Sequence, residues 1–193
     1  IIDLLEKDLD AIFYPCMSYT FDEGISDNCY NCPVVAYYPE LIQANIPDIE
    51  KTHFLYPHLG IEDHKLLAER MYENFKNIIP KLSKKEMEKS IEKAFKTYYE
   101  YRETVRQEGS RVLKFAEENN YPVIILASRP YHIDPEINHG LDRLLNSLNF
   151  VVVTEDALYP VEGKLTTKTL NQWGYHARMY NAAKYVSQHK NME

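Results

Sequence analysis

Residues 122–127, Pro122-Val123-Ile124-Ile125-Leu126-Ala127, and residues 150–154, Phe150-Val151-Val152-Val153-Thr154, are two short apolar runs rich in β-branched side chains. Runs of this length with no polar alternation read as strands covered on both faces. Between them, Asp134-Pro135-Glu136 opens a helix, with aspartate as N-cap and proline at the first helical position. Ile137, Leu141, Leu144, Leu145 and Leu148 follow at helical spacing and predict one helix to about Asn149 with a buried stripe. Strand, helix and strand with short connections form a βαβ unit, right-handed by default. A final helix is predicted from Thr169 to His189, carrying Trp173, Ala177, Tyr180 and Tyr185.

Upstream, Ser83-Lys84-Lys85-Glu86 has the capping-box pattern. Met87, Ile91, Ala94, Tyr98, Tyr101, Val105, Val112 and Ala116 then mark an apolar seam along one long helix that Asn119-Asn120 ends. Gly109 in that helix costs roughly 1 kcal/mol relative to alanine, which points to a break or to close packing. A shorter helix is predicted from about Glu62 to Asn77, with Leu66, Leu67, Met71 and Phe75 on one face and Pro80 beyond it. Asp10 to Pro15 reads as a strand closed by proline, and His53 to Pro57 as another. The stretch Ser18–Asn31 reads as a loop, and Val34 to Tyr38 as either a strand or a first helical turn. The expected fold class is therefore α/β, with two Rossmann-like lobes joined by a long helical connector. The expected boundaries are 1–80, 81–120 and 121–193.

The chain has 193 residues, 45% hydrophobic and 26% charged, which excludes disordered and collagen-like classes. No apolar run reaches the roughly 18 residues of a membrane span, and no basic-then-apolar signal-peptide pattern is read in these residues. A cytoplasmic location and no membrane partner are expected. The chain begins Ile1-Ile2-Asp3 without methionine, which is read as a fragment of a larger protein. Residues 1–63 hold twelve Asp/Glu against Lys7 and Lys51, a local balance of −10; with −7 overall, the remainder sums to +3. Phosphate recognition needs clustered cations, so nucleic acid is not an expected partner.

Three cysteines, Cys16, Cys29 and Cys32, fall within one short window. So few thiols, odd in number, argue against a disulfide framework. Cys16 follows the carboxyl end of a strand, where α/β sheets bind ligands. Cys29-Tyr30-Asn31-Cys32 lets two thiolates reach one metal from a single turn. Zinc would want a further ligand from His53, His58 or His64. An iron–sulfur cubane would want thiolates, and Pro33 after Cys32 echoes the Cys-Pro ending of ferredoxin sites. Inert buried cysteine is the third reading.

Residues 10–17 (Asp-Ala-Ile-Phe-Tyr-Pro-Cys-Met), 22–28 (Asp-Glu-Gly-Ile-Ser-Asp-Asn) and 31–40 (Asn-Cys-Pro-Val-Val-Ala-Tyr-Tyr-Pro-Glu) resemble the uncharacterised domain of large acyl-CoA dehydratase activase-related proteins. Residues 129–140 (Arg-Pro-Tyr-His-Ile-Asp-Pro-Glu-Ile-Asn-His-Gly) match the same domain. That domain is similar to the iron–sulfur subunits of (R)-2-hydroxyglutaryl-CoA and related 2-hydroxyacyl-CoA dehydratases. The resemblance implies a [4Fe–4S] cluster in the full-length protein, held by cysteines in a cleft between the lobes with one iron open. It implies low-potential electron transfer in anaerobic metabolism. Cys16 and Cys32 fall on ligand positions of the family, while Cys29 stands where a histidine is equally familiar. The family pattern has further cysteines before residue 1 and after residue 193, so the cluster is expected to be incomplete in this chain. The Gly-rich nucleotide segments of the activase ATPase are missing, and ATP hydrolysis is not expected.

Ser128, Arg129, Tyr131 and His132 occupy the turn between strand and helix and are expected to face the cleft. A thioester carbonyl, a CoA phosphate or the open face of a cluster could sit there, with Arg129 as fixed charge and His132 as proton carrier. The bland alternative pairs Arg129 with a carboxylate and makes His132 a loop cap. Expected partners are the other domains of the parent chain, acyl-CoA dehydratase subunits or acyl-CoA itself. The alternative function is a non-catalytic interaction module of a larger protein, or a small structural zinc site.

Overall fold

Proline decides how the first strands pair. The structure, a computed structural model, describes residues 1–158 and 164–193. After a single helical turn, α1 (Ile2–Leu5), come β1 (Ala11–Phe13) and β2 (Cys16–Tyr19). β1 pairs in parallel with β3 (His53–Leu55), and β2 pairs in parallel with β4 (His58–Gly60). Pro15 and Pro57 lie in the same gap between these pairs, and neither can donate to a ladder, so one pair of strands is divided into two. The Cys16 amide still donates to the Pro57 carbonyl at 2.9 Å, which carries the pairing across the gap. Cys16 thus opens a second strand that runs to Tyr19, two residues into the stretch Ser18–Asn31 that reads as a loop in the sequence. The five residues Val34 to Tyr38, read as either a strand or a first helical turn, belong to α2 (Pro33–Asn45), with Pro33 at its first position.

α3 (His64–Phe75) begins at Asp63, whose Oδ1 accepts from the amides of Lys65 and Leu66. Leu67 and Ala68 are the residues it buries, while Leu66 is exposed. α4 runs unbroken over Lys84–Glu118. The Ser83–Glu86 capping box forms, each side chain accepting from the other residue's amide at 2.9 and 3.2 Å. At the far end Tyr121 N–H reaches Ala116 O and Asn120 N–H reaches Glu117 O, with Asn120 left-handed at φ 55°. That is a Schellman ending in which asparagine takes the usual glycine position, closed by Phe115 stacked on Tyr121. Gly109 does not break the helix. A Cβ there would stand 2.6 Å from Ala157 Cβ, so the glycine admits a close approach.

β5 (Val123–Leu126) and β6 (Val151–Thr154) pair in parallel in the register Val123–Val151 to Leu126–Thr154, as the βαβ reading required. The crossover is different from the expectation. α5 (Pro135–Asn138) lasts one turn, His139 and Gly140 take left-handed angles of φ 54° and 78°, and α6 (Leu141–Ser147) starts again. Ile137, Leu141, Leu144 and Leu148 are 46–58% exposed, so the stripe expected to be buried is open. α7 (Gly174–Ser187) is shorter than the predicted Thr169–His189 helix, with Trp173 at its N-cap.

The chain is α/β, with small parallel sheets flanked by helices in two lobes and α4 as the helical link. Contacts group Ile1–Asp22 and Asn28–Lys96 into a first unit, and Glu23–Asp27 and Thr97–Glu193 into a second. Leu59, Leu67 and Phe95 centre the first core. Ala116, Val123, Ile125, Val153, Ala157 and Ala182 form the second. Among the described residues no helix is long and apolar enough to cross a membrane.

Candidate metal centre

The parallel register of β2 and β4 sets Cys16 directly across from His58. α2 packs on β2 and brings Glu40 to the same place, where Glu40 Oε1 lies 2.9 Å from His58 Nε2. One thiol, one carboxylate oxygen and one imidazole nitrogen lie within 4.8 Å of one another. Among the described residues this is the only such group of three or more Cys, His, Asp and Glu. Cys16 is wholly buried, whereas Glu40 and His58 reach the surface, so the group has a closed sulfur end and an open oxygen–nitrogen end.

Burial pushes the Cys16 thiol above its ordinary pKa, and the Glu40 carboxylate adds to the rise. The Glu40 amide acts in the opposite sense by hydrogen bonding to the sulfur. A cation placed here would reverse the balance, because it compensates both the desolvated thiolate and the adjacent carboxylate. Arg70 Nη1 donates to the His58 carbonyl at 2.5 Å and anchors the backbone that carries the imidazole.

Cys29 and Cys32 stand outside this group. Asn31 draws their segment back along β2, its amide bonded to Ser18 O at 2.9 Å and its Nδ2 to Met17 O at 3.1 Å. Cys32 is the N-cap of α2, and Glu40 lies two turns further along, about 12 Å by helical rise. Cys29 is half-buried; burial raises its thiol pKa, and Asp22 and Glu62 raise it further. All three cysteines are free thiols.

Donor chemistry decides what the trio fits. A cubane requires thiolates at its corners, and this group contains one thiol. One sulfur, one nitrogen and one oxygen donor match a single borderline divalent ion such as Zn²⁺. Of the three histidines that sequence offered as partners, His58 is the one beside Cys16; His64 instead stacks on Phe95. Glu40 was not legible as a ligand, because only the packing of α2 on β2 brings it near the sulfur.

The second set of expected site residues divides. Ser128 and His132 line a cavity at the carboxyl end of β5. Arg129 lies over the Tyr175 ring, 5.0 Å from its centroid, a position that Arg178 shares at 5.3 Å. Tyr131 is exposed and meets His132 edge to face at 4.5 Å. Arg129 also lowers the pKa of His176, although burial of that imidazole is the larger cause.

No curated protein and no solved structure matches the chain significantly. A family does: residues 1–158 match the CoA enzyme activase uncharacterised domain, and these include the Cys16 strand, the Asn-Cys-Pro turn, Glu40, His58 and the Arg129 loop. The chain belongs to that family of CoA-enzyme-activase-related domains.

Proposed function

We propose that this chain is a metal-bearing interaction module of a larger activase-related protein. It holds one divalent ion, zinc by preference, on Cys16, Glu40 and His58. The observation that carries this reading is the convergence of three chemically different donors within 4.8 Å on three separate elements. Three protein ligands leave a fourth tetrahedral position, which water or a donor from a docked domain fills. Bound metal ties β2, β4 and α2 together, so its binding free energy becomes folding free energy for the first unit.

The docking role is supported by α2, which exposes Val34, Val35, Tyr37, Tyr38 and Leu41 at 45–61%. An apolar face of that size on a strongly acidic region suits a partner with an apolar centre and a basic rim, supplied by other domains of the parent protein. Free thiols accord with a reducing, cytoplasmic setting. The rival reading is a [4Fe–4S] cluster on Cys16 and Cys32, with Cys29 as a further thiolate, used for electron transfer to a dehydratase.

Metal analysis separates the two. Loaded with zinc, the protein should retain one ion per chain. With cobalt(II) it should show a sulfur-to-metal charge-transfer band that Cys16→Ser removes and that Glu40→Gln and His58→Gln weaken. Failure to retain stoichiometric zinc would overturn the proposal. So would anaerobic uptake of iron and sulfide that depends on Cys16 and Cys32 but is indifferent to Glu40 and His58.

A further inference from the structure

The cavity at the end of β5 has a volume of about 360 Å³, within the range of small-molecule sites. Its walls are aliphatic, with Leu126 and Val152 from the sheet and Ile137, Leu141 and Leu145 from α5 and α6. Ile137 and Leu141 are 48% and 46% exposed, so apolar surface at the rim remains in water. The break at His139 and Gly140 separates α5 from α6, and both short helices contribute to the wall.

The polar end is narrowly specified. His132 Nδ1 accepts the Arg129 amide at 3.2 Å, so that nitrogen carries no proton. The ring hydrogen is then on Nε2, and a neutral His132 offers the cavity a donor and no second acceptor. Ser128 Oγ donates to the Arg129 carbonyl at 3.4 Å, and Asn138 accepts from the Gly140 amide through Oδ1 at 2.7 Å and donates to the Ile133 carbonyl through Nδ2 at 3.5 Å. Asp142 brings a negative charge to the wall, and no lysine or arginine among the described residues lines the cavity. A carboxylate ligand would lose hydration beside Asp142 and gain no cation.

We propose that this cavity binds a neutral aliphatic molecule ending in a hydrogen-bond acceptor, a primary amide or ketone of medium chain length. Its oxygen accepts from His132 Nε2–H, and its chain lies against Ile137, Leu141 and Leu145. The Arg129 guanidinium, held over Tyr175, belongs to a different neighbourhood and does not bind this ligand.

Saturation-transfer NMR and calorimetric titration with hexanamide, hexanoate and hexylamine test the proposal on the wild-type protein. Hexanamide should bind saturably, and hexanoate roughly tenfold more weakly because its charge goes unpaired. His132→Phe should weaken hexanamide about fivefold, the worth of one hydrogen bond. Asp142→Asn should bring hexanoate close to hexanamide. Ile137→Trp, at a rim position whose side chain is half-exposed, should fill the cavity and abolish binding while the far-ultraviolet circular dichroism stays native. Absence of saturable hexanamide binding overturns the proposal. So does hexanoate binding as tightly as hexanamide, or hexylamine doing so, since an alkylammonium would meet Asp142 but set its own N–H donors against the His132 Nε2–H, or a natively folded Ile137→Trp variant that still binds.

Discussion

Glu155 is the most deeply buried carboxylate described, at 6% exposure, and replacing it with glutamine should change how stability depends on pH. It directly follows β6 and meets Arg178 Nε on α7 at 3.1 Å. Arg178, itself 11% exposed, also faces Glu23 Oε2 at 3.8 Å, and Glu23 is ion-paired with Arg102 on α4. Desolvation outweighs the attraction of Arg178 and lifts the Glu155 pKa from 4.5 to about 7, with Asp156 and Glu23 contributing to the rise. Between these values the folded protein holds a proton that the unfolded chain has released. Stability contributed by this group is therefore fully present below pH 4.5 and lost as pH rises through about 7. The interval corresponds to ~3 kcal/mol.

Glu155→Gln cannot ionise, so it escapes that loss. The stability difference between variant and wild type should move by ~2.5 kcal/mol in favour of the variant from about pH 5 to pH 8. Urea denaturation followed by the fluorescence of Trp173, the only tryptophan and the N-cap of α7, reports on the unit that contains Glu155. Subtracting wild type at each pH removes the contribution of carboxylates such as Asp27 and Glu103, which shift the opposite way. A difference that stays constant across the pH range would refute the reasoning.

Gly109→Ala should lower the melting temperature by roughly 2–6 °C in a thermal scan. The added methyl meets Ala157 O at 2.7 Å, and the overpacking of a backbone atom exceeds the ~1 kcal/mol gained from helix propensity. Asp63→Ala should cost about 1 kcal/mol in chemical denaturation, because two amides at the start of α3 lose their acceptor. Apparent zinc affinity, measured against a chromophoric chelator, should rise ~tenfold per pH unit between about pH 6 and 8, since Cys16 must release a proton that burial makes it hold. Cys16→Ser should weaken binding and flatten that slope.

The βαβ strands, the capped long helix and the family motifs were legible because they depend on local patterns: apolar runs, cap residues and fixed spacing. β2 and β4 were not, because each is three or four residues long and follows a proline, and only their mutual ladder makes them strands. The leucine stripe of α5 and α6 was legible as a set of apolar positions. What it lies against was not, and periodicity identifies a face without identifying its cover.

The candidate metal site divides in the same way. Sequence alone determined that three cysteines cluster in one short window, that Cys16 follows an apolar run closed by proline, and that Cys32 stands in an Asn-Cys-Pro motif. Only the tertiary structure decided that Glu40 and His58, and not Cys29 or Cys32, stand within 4.8 Å of the Cys16 sulfur. The strand register and the packing of α2 make that choice, because a ligand set is defined by distances between side chains that are remote along the chain.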